Sequence, residues 1–224
     1  MDAIDTLHRP QIKICGLTST RDAEACATAG ADAIGFISYP KSPRHLPDQA
    51  IRRITARLPD KVCPVGVFVN ENLDRIMRAV DIGGLRAVQL HGNETPALVK
   101  ALSDEGLIVI KALFINGSPA LETAHRYPAT AFLVECAGGP LPGGNAMDWN
   151  WSDARQLPSD QPVLLAGGLT PDNVKIAIAA GGPAAVDVSS GVEIRPGCKD
   201  INKVAAFCRA VATSEKTGRK KIFG

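Results

Sequence analysis

Aromatic residues make up only 4% of this 224-residue chain, although 45% of it is hydrophobic. Its core must therefore be aliphatic. Ala, Val, Ile and Leu do fill the runs that read as buried, as in a parallel sheet covered on both faces. Charge of one sign is also lacking. A formal net charge of +2 is too small for a nucleic-acid or membrane surface, so neither partner is expected. No apolar stretch is long enough to span a bilayer. The first ten residues carry Asp2, Asp5, His8 and Arg9 and lack the apolar run of a signal peptide. The six cysteines are Cys15, Cys26, Cys63, Cys136, Cys198 and Cys208. They contain no Cys-x-x-Cys pair and form no zinc-like grouping with the four histidines. Together these absences predict a reducing, cytoplasmic setting with free thiols. Apart from Cys15, the cysteines read as small buried hydrophobes.

What is present is a strict alternation. Short apolar runs at 11–15, 33–37, 64–69, 87–90, 107–113, 131–135, 162–166 and 184–188 read as strands. The first helix is capped by Thr18 or Ser19, buries Ala23, Cys26 and Ala27, and stops at Gly30. Further helices are expected over 47–58, 71–82 (capped by Asn70), 95–105, 119–126, 149–157, 171–180 and 200–212. The glycine- and proline-rich stretch 136–147 reads as a long loop over a site. Eight strand–helix units without a linker predict a single-domain α/β fold, a (β/α)8 TIM barrel over 11–212. Residues 1–10 form an N-terminal extension, and the basic tail 213–224 reads as a frayed terminus. An open doubly wound sheet is the alternative, because periodicity alone does not show closure.

Chemistry-bearing residues lie at strand ends. Gly167 and Gly168 follow the seventh strand, and Ser189, Ser190 and Gly191 follow the eighth. Glycine lets backbone N–H groups approach an anion, and loops after strands seven and eight are the usual phosphate site of a barrel. A phosphorylated small molecule is the expected substrate. Cys15 ends the first strand in Lys13-Ile14-Cys15-Gly16. It can meet donors on the last two strands only if the sheet closes. A thiol titrates near about 8.5 and can act as a base if its site lowers that value. Lys13 shares its face and either helps hold a thiolate or pairs with a carboxylate. Glu135 ends the sixth strand. It is either a general acid or half of an ion pair with Lys13 or Lys111. Arg44, in Lys41-Ser42-Pro43-Arg44, can grip a carboxylate at two points. Asp187 can hold a hydroxyl or a cationic nitrogen. His91 and Gln89 read equally well as structural residues.

These residues carry a resemblance. Lys13-Ile14-Cys15-Gly16-Leu17-Thr18, Tyr39-Pro40-Lys41-Ser42-Pro43-Arg44, Val88-Gln89-Leu90-His91-Gly92, Ala166-Gly167-Gly168-Leu169 and Val188-Ser189-Ser190-Gly191-Val192-Glu193 occur in one order along the chain. In that order they resemble the phosphoribosylanthranilate isomerase family of tryptophan biosynthesis. The resemblance implies an Amadori rearrangement of N-(5-phosphoribosyl)anthranilate to 1-(2-carboxyphenylamino)-1-deoxyribulose 5-phosphate, with no cofactor or metal. It implies Cys15 as general base, Arg44 on the anthranilate carboxylate and Asp187 at the sugar and amine. A monomer or a homodimer is compatible with it.

One departure stands out. The family's general acid is an aspartate ending strand six, whereas this chain has Val134-Glu135. The loop that follows is shortened to Gly143-Gly144-Asn145-Ala146-Met147-Asp148-Trp149. Glu135 is the expected acid, with a reach longer by one methylene. Two other readings compete: another phosphosugar isomerase on the same barrel, which Cys15 disfavours, and a phosphate-ligand binder that no longer turns over.

Overall fold

The computed structural model describes residues 7–136 and 149–224. Eight parallel strands close into a barrel. They are β1 (Gln11–Cys15), β2 (Ala33–Ile37), β3 (Cys63–Phe68), β4 (Ala87–Leu90), β5 (Ile108–Ile115), β6 (Ala131–Cys136), β7 (Val163–Leu165) and β8 (Ala185–Val188). Closure is made by β1 pairing with β8, which the sequence pattern left open. Helices α1 (Thr20–Ala29), α2 (Asp48–Thr55), α3 (Leu73–Gly83), α4 (Pro96–Asp104), α5 (Val174–Gly181) and α6 (Ile201–Ala212) surround it. A short antiparallel pair, β9 (Glu193–Arg195) and β10 (Cys198–Lys199), lies between β8 and α6 and has no signature in the periodicity. Among the described residues no helix is long and apolar enough to cross a membrane.

Alternation along each strand sorts side chains into two cores. Ile12, Ile14, Phe132, Val134 and Val186 pack outward against the helices. Ala33, Ala87, Ala112, Ala131, Leu133, Ala166 and Ala185 fill the interior. The interior is rich in alanine, which fits the scarcity of aromatics.

Local chemistry explains the helix ends. Ser19 accepts a hydrogen bond from the Asp22 amide at 3.1 Å, and Gly30 stops α1 in the left-handed conformation. Asn70 does not cap α3. Asn72 does, accepting from the Arg75 amide at 2.9 Å. Asn70 instead ties the β3 loop to the β4 loop by accepting from the Asn93 amide at 2.7 Å. The helices expected after β5 and β6 are 3₁₀ segments, Leu121–Arg126 and Trp151–Gln156. Each has six residues and is closely followed by a proline, Pro128 or Pro158, which disfavours a further α-helical turn.

The tail 213–224 is not frayed. Ile222 and Phe223 are buried and belong to the interior core. Gln11, the first inward position of β1, donates to the Phe223 carbonyl and accepts from the amides of Ile222 at 2.7 Å and Phe223 at 2.9 Å. Arg219 donates to the carbonyls of Gly182 and Pro158, and Thr217 bridges to His8. The two apolar residues at the end of a basic stretch supply the burial that holds it.

Candidate active site

The strand pair that closes the barrel sets Lys13 directly opposite Asp187. Lys13 Nζ donates to Asp187 Oδ1 at 2.9 Å, with the ammonium wholly buried. Burial opposes that charge, but the Asp187 carboxylate leads the opposing effects, and the Lys13 pKa is raised. Cys15 lies in register with Gly35 of β2. A Cβ at position 35 would come within 2.7 Å of the Cys15 sulfur, so glycine there makes room for the thiol. Burial pushes the thiol up, Lys13 pulls it down, and Asp187 works with burial. The net shift is upward, so the resting group is a neutral thiol at neutral pH.

On β4 and β6 a second group forms. Glu135 is buried, and its partner is neither Lys13 nor Lys111. His91 Nε2 lies 2.9 Å from Glu135 Oε1, and Gln89 Nε2 lies 2.9 Å from His91 Nδ1. With the Gln89 amide donating to Nδ1, His91 carries its hydrogen on Nε2 and donates to the carboxyl. Phe114 meets the imidazole edge-on at 5.6 Å. Lys111 is excluded by strand parity: Ile110, Ala112 and Phe114 face inward, while Val109 and Leu113 face the helices. Lys111 therefore points outward and pairs with buried Glu94 at 2.8 Å, also donating to the Leu90 and Gly92 carbonyls.

The glycine–serine segments come together as expected. Gly167 and Gly168 adopt φ of 83° and 68°, which only glycine takes without strain. Asn173, at the start of α5, donates to the Gly168 carbonyl at 2.9 Å and accepts from the Thr170 amide at 2.8 Å, bracing the turn. Trp149 Nε1 donates to the Ala166 carbonyl at 3.0 Å. One cavity of about 50 Å³ is lined by Gly167, Gly168, Ser189, Ser190 and Gly191 together with Glu135 and Asp187.

Arg44 is held rather than solvated. Its Nε donates to Glu193 Oε1 at 2.9 Å and its Nη2 to Glu193 Oε2 at 2.7 Å. Lys199 Nζ donates to the same carboxylate at 2.8 Å and to the Ser189 carbonyl at 3.1 Å. Sequence reasoning assigned no role to Glu193, Lys199 or Asn173, and left His91 open. Arg44 and Glu193 are 149 positions apart, so no local spacing could pair them. Asn173 three residues after Thr170 was the one local signal available. The loop 137–148, including the altered Gly143-Gly144-Asn145 segment, lies outside the described residues.

A closed parallel barrel with a thiol, a carboxyl and an N–H-rich cavity at the C-terminal ends of its strands defines the class, a (β/α)8-barrel enzyme. The family model for N-(5'-phosphoribosyl)anthranilate (PRA) isomerase matches residues 12–210. An N-(5'-phosphoribosyl)anthranilate isomerase of Desulfatibacillum aliphaticivorans is 46% identical over 95% of this chain and 98% of its own. The crystal structure of phosphoribosyl anthranilate isomerase from Thermotoga maritima superposes with a TM-score of 0.82 at 38% identity, covering 90% of this chain and 98% of that one. That enzyme is described as dimeric, and monomers have been generated from it. A structure of the isomerase in complex with reduced 1-(o-carboxyphenylamino)-1-deoxyribulose 5-phosphate has a TM-score of 0.79 at 37% identity, covering 90% and 98%. The chain belongs to the PRA isomerase family.

Proposed function

We propose that this isomerase uses Cys15 as general base and Glu135 as general acid in the rearrangement of N-(5-phosphoribosyl)anthranilate. The observation that carries this reading is the single cavity shared by Glu135, Asp187 and the glycine–serine cradle. The substrate phosphate sits on the N–H groups of Gly167, Gly168, Ser189, Ser190 and Gly191. Arg44 takes the anthranilate carboxylate, and Asp187 the amine and sugar.

Glu135 protonates the furanose ring oxygen, and the ring opens to a Schiff base. Cys15 then removes the C2 proton, giving an enolamine that tautomerises to the ketone. Acid and base stand on different strands, β6 and β1, so they can address different atoms of one bound sugar. The neutral resting thiol fits a base that is activated on binding. When Asp187 turns to the substrate amine, Lys13 loses its carboxylate partner and its charge falls to the thiol, favouring thiolate. His91 holds Glu135 at the reach its extra methylene gives it. The chain works as a monomer or a homodimer in the cytoplasm, without cofactor.

Turnover tests this directly. Phosphoribosylanthranilate is formed in situ from anthranilate and phosphoribosyl pyrophosphate, and loss of its fluorescence is followed. Protein-dependent decay that Cys15→Ala and Glu135→Ala each abolish is the expected result. Unchanged decay in either variant removes that residue from its role.

A further inference from the structure

We infer that Glu193 is a positioning residue for substrate recognition: it fixes one edge of the Arg44 guanidinium so that the other edge is presented to the substrate carboxylate. This rests on the reading of Arg44 as the carboxylate-binding residue. A guanidinium offers five N–H donors in a rigid plane, and two of its edges can each grip a carboxylate. Glu193 occupies the Nε/Nη2 edge with bonds of 2.9 and 2.7 Å. Among the described residues Nη1 has no hydrogen-bond partner, so the outer edge is left to a second carboxylate. The stem of Arg44 passes over Gly16, next to Cys15, so the guanidinium is anchored on the Cys15 side of the site.

Glu193 is itself immobilised. Its side chain is 4% exposed, and it accepts from Lys199 Nζ at 2.8 Å and from the Gly197 amide at 3.3 Å. Burial works against its charge, but Arg44 and Lys199 outweigh it and hold the carboxyl below the ordinary range. The anion is thus permanent at neutral pH. Lys199 also donates to the Ser189 carbonyl at 3.1 Å. One buried chain of Arg44, Glu193, Lys199 and Ser189 therefore joins the carboxylate grip to the wall of the phosphate cavity. The hairpin of β9 and β10, between β8 and α6, carries both Glu193 and Lys199.

A long arginine left untethered samples many rotamers, and ordering it on binding weakens affinity. Tethering it beforehand removes that loss only for ligands that carry the carboxylate. The test uses two inhibitors, the reduced product analogue and its counterpart with phenyl in place of 2-carboxyphenyl. Their inhibition constants are measured on the wild type, Arg44→Ala, Glu193→Gln, Glu193→Asp and the Arg44→Ala/Glu193→Gln pair. The wild type is expected to prefer the carboxylate-bearing analogue by tenfold or more, and Arg44→Ala to erase the preference. Glu193→Gln should cut it at least fivefold, raising KM far more than it lowers kcat, and should add nothing in the Arg44→Ala background. Glu193→Asp keeps the charge between Arg44 and Lys199 but withdraws it by a methylene, and should cut the preference with less effect on folding. A preference intact in both Glu193 variants while Arg44→Ala erases it overturns the inference alone. A wild type without the preference, or one that survives Arg44→Ala, overturns the reading of Arg44 beneath it.

Discussion

Glu135 gains its position from His91, and His91 from Gln89, so the candidate acid is the end of a three-residue chain rather than an isolated carboxyl. Removing the acid in Glu135→Ala should lower kcat by about 10²–10⁴-fold, the usual worth of a general acid. Glu135→Asp keeps a carboxyl but shortens its reach to His91, and should retain part of the turnover. Steady-state rates of the two variants decide this, and equal loss in both would show that the carboxyl itself is not what matters. A second prediction concerns Cys15. Its buried thiol is raised above the ordinary thiol range in spite of Lys13. Lys13 favours the thiolate, so Lys13→Met removes that support and frees the Asp187 carboxylate, and both effects raise the thiol further. Alkylation of Cys15 by iodoacetamide, resolved by mass spectrometry across pH, should show thiolate appearing only at alkaline pH, and later still in Lys13→Met. A thiol that reacts fully near pH 7 in the ligand-free protein would contradict this. Cys26, Cys63 and Cys208 are pushed to about 12, 11 and 11 by burial first of all, as suits packed core residues.

Individual elements carry their own constraints. Lys111 in β5 was a sequence-level candidate partner for Glu135, yet strand parity sends it to the opposite face. There it and Glu94 form a pair whose side chains are 0% and 1% exposed. Burial lowers the Lys111 pKa, and Glu94 opposes that shift. Glu94 Oε1 also accepts from the Asn70 amide at 2.9 Å and the Gly92 amide at 3.0 Å, so the pair knots together the loops at the C-terminal ends of β3 and β4. Lys111→Ala strands a buried carboxylate and should cost about 3–5 kcal/mol in chemical denaturation. A loss under about 1 kcal/mol would mean that water or a shifted loop satisfies Glu94. The loop between β7 and α5 works differently. It depends on positive φ at Gly167 and Gly168, which the glycines made legible, and on the two-way bonding of Asn173, which only the folded loop showed.

For the whole molecule, closure decides nearly everything. The barrel interior is lined by small aliphatic side chains, and its floor is sealed by Ile222 and Phe223. Phe223→Ala should open a cavity there and cost about 3–5 kcal/mol, read as a lowered denaturation midpoint. The site lies at the other end of the strands, so kcat at 25 °C should change little. A midpoint unchanged by Phe223→Ala would mean that the floor is held without it. From residue order alone, the eight strands, most helix ends and the glycine–serine turns after β7 and β8 could be placed, because period-2 and period-3.6 patterns and glycine turns are local properties of a chain. Lys13 on the same side as Cys15 was legible for the same reason. The tertiary structure decided that β1 meets β8, setting Lys13 against Asp187 at 2.9 Å. It also decided that Glu135 meets His91, that Glu193 holds Arg44, and that the basic tail folds under the barrel. Each of those contacts joins segments from 44 to more than 200 residues apart. Side chains so distant leave no spacing to read, and only closure of the sheet brings them within hydrogen-bond reach.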